Sequence, residues 1–405
     1  MGHQQFIVSM NEAKSAFDWM IDETASWPPR GRPKPPLGPT TLEVLRSCPL
    51  RTCFECSEGY ERRIGFAARV GTAFHRTLQT LNENLPQQSS LLATADWARK
   101  KFLSELEKQE AERSQRPRER GLPRDEIRVY RAIEALINEV HRICLEGIRP
   151  HSLLHPIPLA VQPSKGKVFQ SEILGEVKVH VETPIESHDR LFKGRIDRAG
   201  ECPEGTILYD YKAGLRGDVP ERYERQLQFY AWLWHEARGK WPTRAYVIYP
   251  FTEKIHSVAI DEKTCKRIVE EYRALLTQLQ NYRSADQLAT PGEVCQVCEF
   301  RPWCLSFWKW QSAESKHIIS LERAAIGFAG VIEELKQVEF HWKILVRWRN
   351  CTIRIVAPLE RFPQLEEAKN GMYIRALEMK LHGQIMAPQA RVSEMSELFL
   401  LKSSH

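Results

Sequence analysis

The hydrophobic and polar positions of this chain fall into blocks that separate strands from helices. Leu191-Phe192-Lys193-Gly194-Arg195-Ile196 and Ile207-Leu208-Tyr209 are two apolar-rich runs. Gly200, Pro203 and Gly205 lie between them and supply the chemistry of a hairpin turn, so two neighbouring strands are predicted. Upstream, Val177, Val179 and Val181 alternate with charged residues in the strand-like window 168–199, and Glu182-Thr183-Pro184-Ile185 closes that strand. Downstream, Tyr246-Val247-Ile248-Tyr249 predicts a buried strand, with His256-Ser257-Val258-Ala259-Ile260 as its hairpin partner.

Helical periodicity surrounds this β-rich middle. A helix is predicted to begin at Thr40-Thr41-Leu42-Glu43 with a threonine cap, and a second to run from Gly65 to Leu85. Residues 90–150 read as helical and highly charged, and Gln226 and Tyr230 sit four apart on one helical face. Asp261–Tyr282 carries Ile268, Val269, Tyr272, Leu275, Leu276 and Leu279 on one apolar side. Before all of these come a short helix over Asn11–Ile21 and an extended, basic, proline-rich linker over 28–39. Its Arg30, Arg32 and Lys34 fit a simple tether or a phosphate contact.

Composition narrows the classes. With 405 residues, 27% charged and 42% hydrophobic, the chain is long enough for two domains with their own cores and reads as soluble and globular. No apolar run approaches the ~20 residues of a membrane span. The first residues lack a basic segment followed by an apolar one, so the expectation is a cytoplasmic protein without membrane partners. A net charge of +6 is compatible with nucleic acid and does not require it. Ten cysteines in such a chain point to metal ligation or inert core positions rather than disulfides.

The chemistry concentrates between Phe192 and Tyr230. Asp197 ends one predicted strand, and Asp210 and Lys212 flank Tyr211 at the end of the next, so they share a face. Two carboxylates and an ammonium suit a divalent cation, which takes oxygen ligands and leaves positions for water and phosphate. The lysine can orient water or offset charge developing on the phosphate. A solvated ion-pair face fits the same residues.

Four stretches in one order add to this: Gly71-Thr72-Ala73-Phe74-His75, Gly194-Arg195-Ile196-Asp197, Asp210-Tyr211-Lys212 and Gln226-Leu227-Gln228-Phe229-Tyr230. Together they resemble the RecB-type nucleases of the PD-(D/E)XK superfamily over residues 41–310. The resemblance implies an α/β, restriction-endonuclease-like core with a helical insertion at about 86–155. It implies Mg²⁺ or Mn²⁺ held by His75, Asp197, Asp210 and the carbonyl of Tyr211, with Lys212, Gln226 and Tyr230 completing the catalytic set.

Cys295, Cys298 and Cys304 follow in a C-x₂-C-x₅-C spacing, and three thiols want a fourth. The iron–sulphur subset of the same family, which includes AddB-type and CRISPR-adaptation nucleases, places one such cysteine ahead of the core, here Cys48. The resemblance thus implies a 4Fe–4S cluster on Cys48, Cys295, Cys298 and Cys304. A Zn²⁺ site built from Cys53, Cys56, Cys295 and Cys298 is the competing arrangement. Cys144, Cys202, Cys265 and Cys351 show no partner pattern.

Two basic regions are candidates for DNA. Arg113, Arg116, Arg118, Arg120, Arg124, Arg128 and Arg131 crowd a stretch broken by Pro117 and Pro123, fitting a solvated face or a backbone-binding tract. After a helical connector at about Trp308–Ala325, residues 327–405 give three strand-like runs, a short helix at Phe362–Lys369 and two more strands, Tyr373–Leu381 and Val392–Leu401. That is the order of an OB-like β-barrel. Trp342, Arg347, Trp348, Arg349 and Arg354 could meet single strands there, or serve core and protein contacts.

The expectation is an N-terminal segment 1–40, a nuclease domain 41–310 and an OB-like module 327–405. Together they would form a Mg²⁺- or Mn²⁺-dependent deoxyribonuclease, exonuclease over endonuclease, acting on single-stranded DNA or DNA ends in repair or anti-phage defence. No G-x-x-x-x-G-K-[ST] motif is present, so a helicase would be a separate partner. The competing classes are a nuclease-derived DNA-binding scaffold and a zinc-stabilised interaction subunit of a repair or defence complex.

Overall fold

In a computed structural model, residues 19–83, 91–119, 122–145, 178–202, 205–215, 219–282, 284–314, 326–384 and 387–402 are described. The helix expected over Asn11–Ile21 lies outside these residues except at its end. There Met20–Ile21 is instead a short strand, parallel to Leu400–Leu401. The chain divides into two compact units, Pro28–Arg301 and a second made of Met1–Trp27 with Pro302–His405.

The larger unit opens with α1 (Pro39–Ser47) and α2 (Pro49–Glu55), hinged at Cys48. Gly38, not a threonine, is the cap of α1, and Pro39 starts it with φ already set for a helix. Three long helices follow: α3 (Phe66–Glu83), α4 (Leu91–Ser114) and α5 (Glu126–Leu145). A five-stranded sheet comes next, of β1 (Lys178–Glu186), β2 (Lys193–Cys202), β3 (Gly205–Tyr211), β4 (Arg244–Tyr249) and β5 (Lys254–Val258), in that spatial order. Neighbours are antiparallel except β3 and β4, which run parallel because α6 (Glu221–Arg238) crosses between them. The helix α7 (Glu262–Asn281) closes the unit, capped by the Asp261 carboxylate on the N–H of Thr264.

Alternation along β3 builds both cores. Ile207, Tyr209 and Tyr211 pack with Phe66, Val70 and Phe74 of α3 and with α4 and α5. Leu208 instead packs with Leu227, Phe229 and Leu233 of α6 and with Ile268 and Tyr272 of α7. The sheet is therefore covered on both faces, which is why its strands read as continuous apolar runs. The polar residues at the C-terminal end of β3 sit where these two layers meet.

In the second unit, α8 (Leu305–Glu314) precedes β6 (Ile326–Val338), β7 (His341–Trp348), β8 (Cys351–Pro358), β9 (Tyr373–Gln384), β10 (Ala387–Arg391) and β11 (Glu397–Leu401). β9 pairs with β6 as well as with β10 and β11, so the line of pairings returns on itself. The helix expected at Phe362–Lys369 is a pair of 3₁₀ turns, Leu359–Arg361 and Pro363–Glu367. The expected final strand is interrupted by the turn Ser393–Ser396. Proline at the head of the second turn and the short spacing leave no room for a full α-helical ladder. Trp342 lies in this unit's core with Ile344, Val346, Ile353 and Ile355.

Candidate metal-dependent active site

Asp197 on β2 and Asp210 on β3 are brought together by the hairpin. The Tyr211 N–H donates to Asp197 Oδ2 at 2.8 Å. His75, one turn beyond Gly71 on α3, sets its Nδ1 3.9 Å from the same oxygen. The α3 packing against Tyr209 and Tyr211 holds the imidazole over the sheet's end.

Asp210 is buried to 1% exposure and carries its own set of contacts. Lys212 Nζ lies 2.7 Å from Oδ2, and the Gln226 amide donates to Oδ1 at 3.0 Å. The same Gln226 accepts from Lys212 at 3.1 Å and reaches the Tyr230 hydroxyl at 3.3 Å. Gln226 and Tyr230 are one α-helical turn apart, so α6 delivers both to one point. Lys212 also stands over the Tyr223 ring, 4.7 Å from its centre. Neither this ring nor its cation contact had any signal in the sequence pattern.

Electrostatics follow from burial. Loss of water pushes the Asp210 carboxyl up to about 6 against the pull of Lys212, and the nearby Asp197 charge adds to the rise. Burial works against the Lys212 charge, but Asp210 and Asp197 outweigh it and raise the ammonium above its ordinary value. Burial also pushes the Tyr230 hydroxyl well above the usual phenol range, so it serves as a neutral hydrogen-bonding group.

Gly194 shows why its strand needs a residue without a side chain. A Cβ there would stand 2.6 Å from Tyr230 Cε1 and 3.0 Å from Leu233 Cδ1. Leu233 is fully buried and Tyr230 nearly so, leaving neither room to retreat. We expect Gly194→Ala to cost about 1–3 kcal/mol through overpacking. It should also displace Tyr230 from Gln226, read as a lower melting temperature together with reduced metal-dependent cleavage.

One acidic group beside the site was not assigned by sequence. Glu182 on β1, His75 and Asp197 each offer a donor atom, and the three lie within 4.8 Å of one another. The flanking pairs Val181↔Arg198 and Thr183↔Ile196 put Glu182 opposite Asp197 across the sheet. Its φ of +46° is in the left-handed region, which costs a residue with a side chain about 1 kcal/mol or more.

The thiols are distributed over both units. Cys48 lies between α1 and α2, and Cys295 and Cys298 flank the end of the 3₁₀ turn Glu293–Val297. Burial pushes the Cys298 thiol up to about 11, with Cys48 among the neighbours that add to the rise. Burial likewise raises Cys295, and Cys48 contributes there too. Cys304 belongs to the second unit, where its sulphur accepts the N–H of Phe307 at 3.4 Å. Cys53 is buried, takes a contact from Arg32 at 3.4 Å and is raised by burial.

The basic candidates divide sharply. Arg118 is buried, and its guanidinium donates to the carbonyls of Glu61 and Glu299 (2.9 Å for Glu299), so it ties loops together and offers no charge to the surface. Arg116 is 3.7 Å from the buried Glu119, which also pairs with the buried Arg69. Arg120 lies outside the described residues. In the second unit Arg347 is exposed and paired with Glu333 at 3.0 Å. Trp348 is half-buried against Phe328, and Arg349 stands over its ring while donating to the carbonyls of Gln311 and Ser312.

A covered mixed sheet thus gathers acidic groups, a histidine and a lysine at its end. The model of the PD-(D/E)XK nuclease superfamily matches residues 36–305 of the chain. The chain belongs to that superfamily, which implies a metal-dependent nuclease. No curated protein matches the chain significantly.

Three solved structures show distant similarity. A replication factor A related protein from Methanobacterium thermoautotrophicum is 14% identical, covering 20% of this chain and 87% of its own, with a TM-score of 0.17. The protein SSO0001 is 14% identical, covering 58% and 95%, with a TM-score of 0.22. A murine DNA-binding protein bound with double-stranded DNA is 9% identical, covering 56% and 95%, with a TM-score of 0.18. The family match carries the assignment. No described helix is long and apolar enough to cross a membrane.

Proposed function

We propose that this chain is a deoxyribonuclease of RecB type that requires Mg²⁺ or Mn²⁺ and acts on single-stranded DNA or DNA ends, as an exonuclease rather than an endonuclease. The observation that supports it most is the convergence of Asp197, Asp210, Lys212 and His75 at one end of the sheet. The donor set fits such a cation: two carboxylates and an imidazole, with the Tyr211 carbonyl as a further oxygen. When bound, the cation would polarise the phosphate and lower the pKa of a water. Lys212 positions that water and offsets charge building on the phosphate, while Gln226 holds the ammonium and the Asp210 carboxylate in register. Tyr230 braces Gln226 from the next turn of α6.

The same proposal assigns Cys48, Cys295, Cys298 and Cys304 to a 4Fe–4S cluster, resting on their spacing in the sequence and the family resemblance. Four thiolates suit iron and zinc alike, and visible sulphur-to-iron charge-transfer absorption distinguishes them. It further assigns residues 327–405 to an OB-like module, places the enzyme in the cytoplasm and in repair or anti-phage defence, and leaves any helicase to a separate subunit. The nuclease is tested with the full chain, purified without oxygen and incubated with end-labelled single- and double-stranded DNA. Cleavage with Mn²⁺ and none with EDTA is the expected result, faster on single strands. A folded protein that cuts neither substrate with Mn²⁺ present overturns the proposal.

A further inference from the structure

We infer that Glu182 is a further side-chain ligand of the cation proposed for His75, Asp197 and Asp210. The inference rests on the metal-dependent reading above and adds a residue to it. Glu182 is brought to the site by strand register alone: β1 pairs with β2 so that Glu182 faces Asp197 across the sheet. Its carboxylate, the Asp197 carboxylate and the His75 imidazole then converge within 4.8 Å. The three side chains are 14%, 17% and 29% exposed respectively, sheltered enough to hold an ion and open enough to admit one.

Asp210 shares its oxygens with Lys212 and Gln226, at 2.7 and 3.0 Å, so a further carboxylate from β1 is chemically useful. A cation entering beside His75 therefore meets Asp197 and Glu182 first. Two carboxylates neutralise its charge while one imidazole softens the donor set, a combination better matched to Mn²⁺ than to Mg²⁺. Arg195 approaches Glu182 to 4.0 Å, but it is 65% exposed and its long side chain can turn into solvent.

The test is Mn²⁺ binding to the full chain, followed by electron paramagnetic resonance, for wild type, Glu182→Gln, Asp197→Asn and the control Glu186→Gln, whose residue is exposed on the same strand. Glu182→Gln is expected to weaken Mn²⁺ binding by at least about tenfold, the lower end of what even outer-sphere partners contribute. Glu186→Gln should bind as wild type does. Wild-type affinity in Glu182→Gln, with binding lost in Asp197→Asn, overturns the role of Glu182 and leaves the metal-dependent nuclease standing. No Mn²⁺ binding by folded wild type overturns both. Should Glu182→Gln lose its cooperative melt, Glu182→Asp takes its place, with weaker binding expected and unchanged binding again overturning the inference.

Discussion

Replacing Asp210 by asparagine is expected to lower metal-dependent cleavage by about a thousandfold or more while leaving the fold in place. The proposed catalytic set loses the carboxylate that keeps Lys212 charged, and groups that act as a unit fail together. Stability responds differently because two effects oppose one another. Burial already disfavours the Asp210 charge, so removing that charge relieves a penalty. Lys212 loses its closest counter-ion, but it keeps Gln226 and the nearby Asp197 charge. An asparagine amide can still accept the Gln226 hydrogen bond, so the core does not open. Cleavage assays and thermal melts run side by side should therefore come apart. Residual cleavage within tenfold of wild type would remove Asp210 from the catalytic set.

The largest effect on stability is expected one layer behind the site. Glu43 of α1 accepts from the Tyr272 hydroxyl of α7 and from Arg225 Nε of α6 at 2.8 Å, with Arg46 Nε at 3.1 Å. Arg225 also reaches Glu271 at 3.0 Å. Three helices thus share one carboxylate that is only 12% exposed, and Arg225 immediately precedes Gln226. Burial pushes the Glu43 carboxyl upward, but hydrogen bonds from Tyr272 and Arg225 outweigh it and hold it below its ordinary 4.5.

Glu43→Gln leaves Arg225 partly uncompensated in a buried place, a loss of about 3 kcal/mol at neutral pH. In a unit of this size that is a fall of roughly 6–12 °C in melting temperature. Because the folded carboxyl is depressed, its contribution is present above the unfolded value of 4.5 and fades as pH falls through the folded value. The gap between wild type and variant should be full at pH 7 and shrink below pH 4.5. A gap that is constant across this range would assign the loss to packing instead of charge.

Glu43 and Asp210 stand at different links of one chain of support. Glu43 holds α6 at Arg225, α6 aims Gln226, and Gln226 joins Asp210 to Lys212. Loosening the first link should lower activity modestly, through misplacement of Gln226, while the last link removes it. Gly194 enters from the other side, since its bare backbone lets Tyr230 lie flat against β2. Small residues and buried ion pairs around the site therefore act by placing α6, a role that stability and activity assays separate.

Much of the fold was legible in the residues themselves. Short-range periodicity located β3 and α6 and put Asp210 with Lys212, and Gln226 with Tyr230, on shared faces; only the resemblance of four short motifs to a nuclease family joined them with His75 and Asp197. That was legible because each motif lies within a single strand or helix, where a repeat of two or 3.6 residues fixes which side chains share a face. The hairpin was local too, but Gly200, read as part of its turn, lies inside β2 opposite Ile207, because the strand runs on to Cys202 before β3 starts at Gly205. The arginine-rich stretch misled because charge is visible in a sequence while burial is not, and Arg118 is folded inward onto two backbone carbonyls. Long-range packing alone puts Glu182 opposite Asp197, Tyr223 under Lys212 and Met20–Ile21 beside Leu400–Leu401. These are consequences of strand register and helix packing between distant segments. A shift of one residue would turn Glu182 to the other face without altering any local pattern.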